Sequence, residues 1–175
     1  HKKEKTFGLL ISSTTTARFV TESNYMKERA KELGVEIIIE SAENDDALQI
    51  KQGKALLDQV DGLCIIPVNG NTAAEIVREY KNNGIPVIAY NRLIQNCQPD
   101  YYITGDNEIL AKLMVNTALE RKPRGNYYIL EGDKFDLNGR QLQQNIDSLL
   151  KPHEKNGEIT VVFRSYTEDW NGETA

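Results

Sequence analysis

The residues able to do chemistry in this chain cluster in a few short polar stretches. Ser12-Ser13-Thr14-Thr15-Thr16-Ala17-Arg18-Phe19, Pro67-Val68-Asn69-Gly70-Asn71-Thr72, Asn91-Arg92, Gly105-Asp106-Asn107 and Glu131 to Asn138 supply amides, carboxylates and arginines. Such an inventory suits a polyhydroxylated ligand. Each sugar hydroxyl both donates and accepts, and a planar carboxylate or amide together with a forked guanidinium satisfies it. Phe19 and Trp170, the sole tryptophan, could wall the C–H faces of a ring. Each residue also has a plainer reading. Asp and Asn in such places cap helices, arginines pair on surfaces, Phe19 lies on a helical apolar stripe, and Trp170 could cover a lobe edge.

The elements that must position these residues alternate short apolar runs with helical periodicity, the rhythm of βα units on a parallel sheet. Strands are expected at 6–12, 35–41, 62–66, 86–90, 101–104, 126–130 and 159–164. Helical stripes are Phe19, Met26, Ala30 and Leu33; Ala73, Ile76, Val77 and Tyr80; Leu110, Leu113 and Met114; and Leu142, Ile146 and Leu149. Gly34 and Gly84 stand where left-handed residues close helices, and Asp106-Asn107 can cap a helix start. The class is α/β: a doubly wound, mostly parallel sheet with helices on both faces. The βα rhythm is expected to fill 1–165, and 166–175 reads as a crossing segment that leads toward a second unit. In open parallel sheets ligands bind beyond the carboxyl ends of the strands, where all but Trp170 of the candidate residues fall.

Composition narrows the function. With 175 residues, 39% hydrophobic content and a net charge of -5, the chain can bury a core and has no basic stripe for nucleic acid. Cys64 and Cys97 lack metal-site spacing, and no cofactor is expected. His153 sits in a charged, turn-like stretch with no nucleophile signature, so no enzyme is expected. The turn after the first strand has no phosphate-cradling glycine. A receiver domain would need acidic residues where this chain has Ser12, Ser13 and Pro67. The start, His1-Lys2-Lys3-Glu4-Lys5, lacks the apolar stretch of a signal peptide, so any export signal is expected to have been removed already.

Five stretches together resemble the periplasmic sugar-binding proteins of the D-xylose-binding kind: 65–70, 87–94, 102–108, 125–128 and 131–138. The resemblance implies two α/β lobes that close on a monosaccharide such as D-xylose, this chain supplying the amino-terminal lobe over 1–165 and, over 166–175, the hinge crossing and the start of the second lobe. It assigns Arg18, Phe19, Arg92, Asp136 and Asn138 to sugar contact and Trp170 to stacking. Asn91 departs from the aspartate usual before that arginine, and loses a charge-assisted bond. The implied partners are the second lobe and the permease of an ABC transporter. A membrane histidine kinase is the alternative, and the effector domain of a transcription repressor a lesser one. The implied location is periplasmic or extracellular, with a lipoprotein anchor among the options. A half site leaves one face of the sugar in water, so this piece alone is expected to bind poorly.

Overall fold

A computed structural model describes residues 5–134 and 136–170. Phe135 and the part of the expected hinge crossing beyond Trp170 lie outside them. All seven expected strands form: β1 (Thr6–Ile11), β2 (Glu36–Ser41), β3 (Gly62–Ile65), β4 (Val87–Tyr90), β5 (Tyr101–Ile103), β6 (Gly125–Glu131) and β7 (Ile159–Tyr166). The helices are α1 (Ala17–Leu33), α2 (Asp46–Leu56), α3 (Ala74–Asn82), α4 (Asn107–Arg121) and α5 (Leu137–Lys155). Every strand pairing is parallel, and the α/β class stands.

The described chain divides into two compact units, 1–104 and 105–175. Among the described residues the main-chain pairing of β5 is with β4 alone, and β6 pairs only with β7.

In the first unit the strand order is β2-β1-β3-β4-β5. Successive side chains of β1 point to opposite faces. Leu10 therefore joins Leu56, Ile65, Ile76, Val77 and Tyr80 in the larger cluster, while Leu9 and Ile11 pack with Phe19 and Ile66. Gly34 and Gly84 close their helices with φ of 65° and 70°, as their positions predict. Apolar spacing marks no stripe on α2, whose buried face is Gln49, Gly53 and Leu56. A side chain on Gly53 would meet Ile76 at 2.9 Å, so the glycine lets α2 and α3 approach closely.

In the second unit β6 and β7 pack against α4 and α5 through Val115, Leu150 and Ile159. Here the expected α4 stripe is wrong. Leu110, Leu113 and Met114 are exposed, and Ala111 and Val115 face the core. The helix is apolar on several sides, so spacing does not choose a face; the small Ala111 permits the closer approach. The stretch 151–155, read as a turn, is the last turn of α5. Pro152 withholds one main-chain donor, yet the helix is closed by Asn156 donating to the Pro152 carbonyl at 3.0 Å.

Candidate functional site

In the first unit the chain runs from β1 outward to β2, then crosses back to place β3 on the other side of β1. This reversal makes a crevice at the carboxyl ends of β1 and β3, where open α/β sheets hold ligands. Ser12 and Ser13 end β1 in full burial. The Ser13 hydroxyl bonds Thr15 at 2.8 Å, and Thr14 donates to Glu43 at 2.9 Å, which ties the loop to the end of β2. These bonds stabilise the Glu43 carboxylate and hold its pKa below the ordinary value, the Ser41 hydroxyl contributing most.

Phe19 is 3% exposed and belongs to the core, so the packing reading of this ring holds. Two guanidiniums lie close to it. The guanidinium carbons of Arg18 and Arg92 each lie 5.8 Å from the ring centroid, within range of cation–π attraction. Arg18 also pairs with Glu22 at 2.7 Å. Arg92 donates from Nη1 to the Pro67 carbonyl at 3.2 Å, which joins the ends of β3 and β4.

Asn91 precedes Arg92 with φ of 64°. Asparagine tolerates this left-handed conformation better than most side chains. Its N–H donates to the Ile103 carbonyl at 2.7 Å, and its carbonyl accepts from Thr104 Oγ1 at 3.0 Å. Asn91 is thereby fixed between β4 and β5, which sets the direction in which Arg92 leaves the sheet.

Gln49, which the sequence does not mark, and Gly70 support this rim. Gln49, 1% exposed on α2, donates from Nε2 to the Ile66 carbonyl at 3.0 Å and accepts from the Val68 N–H at 2.9 Å. It clamps the stretch whose Pro67 carbonyl Arg92 uses. Gly70 lets the backbone at Leu93 approach: a Cβ there would meet the Leu93 carbonyl oxygen at 2.5 Å. A polar side chain on a helix gives a sequence reader no sign of such a clamp.

The remaining candidates stand in the second unit. Asp136 is the N-cap of α5, accepting from the Asn138 N–H at 2.9 Å, so the capping reading holds for it. Its other oxygen accepts from the Trp170 indole N–H at 3.0 Å. Asn138 Oδ1 accepts from Asn107 Nδ2 at 3.2 Å, and the same amide reaches Gln141 at 3.1 Å. Asn107 is thus a bridge between α4 and α5, while Asp106 does the capping, accepting from the Glu108 and Ile109 N–H groups. The structure brings Asp136 and Trp170 into direct contact, with Asn138 on the adjacent turn.

Beneath them Glu131 ends β6 in burial and pairs with Arg164 of β7, which also grips Asp147 of α5. Burial raises the Glu131 pKa, Arg164 opposing and Asp147 reinforcing the shift. Among the described residues no group of three His, Cys, Asp or Glu side chains could hold a metal, and no helix is long and apolar enough to cross a membrane.

A parallel sheet with a polar, arginine-bearing rim at its switch point defines the α/β class, and sequence comparison gives the family. The chain belongs to the periplasmic binding protein domain family, whose model matches residues 7–175. It is 32% identical to the D-xylose-binding periplasmic protein of Haemophilus influenzae over 176 residues, which cover 100% of this chain and 53% of that protein. Its identity to the protein of the same name from Escherichia coli is 31%, with the same coverage. An ABC transporter solute-binding protein from Clostridium phytofermentans, solved with bound β-D-glucose, superposes with a TM-score of 0.80 at 26% identity, covering 90% of this chain and 51% of that one. The chain spans about half the length of the curated relatives it matches.

Proposed function

We propose that this chain is the ligand-gripping part of a periplasmic monosaccharide-binding protein that delivers a pentose such as D-xylose to an ABC permease. The observation that carries the reading is the family likeness over the whole chain, joined to the Arg18–Phe19–Arg92 arrangement at the switch point of the first unit. The buried ring gives the rim an apolar support, and the two guanidiniums near it supply the forked donors that an oxygen-rich ligand requires. Asn91 completes the contact set proposed in the first unit; in the second unit the proposed contacts are Asp136, Asn138 and Trp170. In this reading residues 1–104 form one lobe and 105–175 open the other, the boundary taken from the two compact units. The rest of the contacts come from second-lobe sequence beyond this piece.

The test is a fluorescence titration on Trp170 with D-xylose, L-arabinose, D-ribose, D-glucose and D-galactose. It is run on this chain and on a version extended by its second lobe. A saturable response to one sugar, stronger in the longer protein, supports the proposal and names the ligand. Silence from both removes direct sugar binding. Co-purification of the extended protein with a transport permease supports the delivery role, and capture of a histidine kinase instead overturns it.

A further inference from the structure

Trp170 lies in the short 3-10 turn Glu168–Trp170 that follows β7, with φ of 56°. Its ring is packed directly over the main chain of two glycines. A Cβ built on Gly132 would meet indole carbons Cη2, Cζ2 and Cζ3 at 2.1, 2.2 and 2.5 Å, and one on Gly139 would meet Cζ2 at 3.4 Å. Gly132 does not occupy the left-handed region, so its own backbone would accept alanine. The space it leaves is needed by the indole. The edge of the ring is fixed as well, because the indole N–H donates to Asp136 Oδ2. The Trp170 N–H is bonded to the Thr167 carbonyl at 3.2 Å, and Thr167 in turn donates to the Glu131 carbonyl at 2.9 Å.

We infer that Gly132 and Gly139 are positioning residues: they form a seat that holds the Trp170 indole, locked by Asp136, as a flat platform for the sugar. The platform role rests on the sugar-binding reading above; the seat itself does not. An aromatic ring held at its edge and supported from beneath loses little freedom when a ligand stacks on it, so the seat raises affinity without touching the ligand. Asp136 then acts chiefly through Trp170 and the α5 cap.

Because Trp170 is the sole tryptophan, its signals report this place alone. In the unsubstituted chain, nuclear Overhauser contacts are expected from the indole ring protons to the α-protons of Gly132 and Gly139. Their absence would overturn the seat, whatever any variant does. In folded Gly132→Ala those contacts disappear, the emission shifts to longer wavelength and acrylamide quenching increases, while far-ultraviolet circular dichroism is unchanged. Emission and quenching identical to the parent would also overturn it. In the version extended by its second lobe, Gly132→Ala should weaken sugar affinity by about tenfold, as expected when a stacking ring leaves its place. Unchanged affinity with a displaced ring overturns the platform role. Failure of the unsubstituted extended protein to bind any sugar removes the platform together with the proposed function, and leaves the seat standing on its spectroscopic evidence.

Discussion

Gln49→Leu tests how the rim of the first unit is held. The substitution keeps roughly the volume and helix propensity of the side chain but removes both the donor to the Ile66 carbonyl and the acceptor for the Val68 N–H. Gln49 is 1% exposed, so water cannot readily replace the clamp. Each buried group left unsatisfied costs about 1–3 kcal/mol, and leucine recovers part of this by burying apolar surface; the net expectation is about 3 kcal/mol. With a urea dependence of roughly 2 kcal/mol per molar, the unfolding midpoint should fall by about 1.5 M. The assay is urea unfolding followed by circular dichroism, with Gln49→Glu in parallel. Glutamate at neutral pH keeps the acceptor, loses the donor and buries a charge, so it should be at least as damaging. A midpoint for Gln49→Leu within error of the parent would refute the clamp and show that the 66–68 stretch finds other partners.

Phe19→Ala should cost about 3–5 kcal/mol by emptying a core position, measured by thermal unfolding, whereas Phe19→Leu should retain most of the stability and isolate the loss of the two guanidinium contacts. The Cys64 thiol is pushed up to about 12 by burial, so in the folded protein at pH 8 a thiol reagent should modify Cys97 first and Cys64 only on unfolding. Glu131 has a folded pKa above its ordinary 4.5, and the proton it holds favours the folded state. That contribution is complete below the unfolded pKa and is lost as pH rises through the folded one, so Glu131→Gln should flatten the fall in unfolding midpoint over that window. Alone, this chain should respond to the matching sugar more weakly than the version extended by its second lobe, as calorimetry would show; equal affinity would mean that the second lobe adds nothing.

The strands were legible because short apolar runs rich in β-branched residues, such as Ile37 to Ile39 and Leu63 to Ile66, favour extended conformation. Helix α2 was not, since Gln49 and Gly53 on its buried face are invisible to a count of apolar spacing. The unit boundary was hidden for a related reason: Ile103-Thr104-Gly105-Asp106 has the composition of any strand-to-cap turn, and only strand pairing distinguishes it. At the candidate site, the arginine and amide stretches were visible by their polarity after apolar runs. The support beneath them was not, because Gly70 and Gly132 matter for the side chain they lack, and what would collide with it comes from residues distant in sequence or beyond a turn.

The interior place of β1, paired on both edges, also governs how the chain is made. β1 precedes both of its neighbours in sequence and pairs with β2 at Glu36 and beyond and with β3 at Gly62 and beyond. During synthesis its backbone must therefore wait for a crossover helix on one side and two on the other before both of its edges are paired. Parallel pairing allows no hairpin shortcut, and the apolar segment Phe7 to Ile11 stays open to wrong neighbours during that delay. The interval of greatest exposure ends only when β3 has emerged and paired with β1.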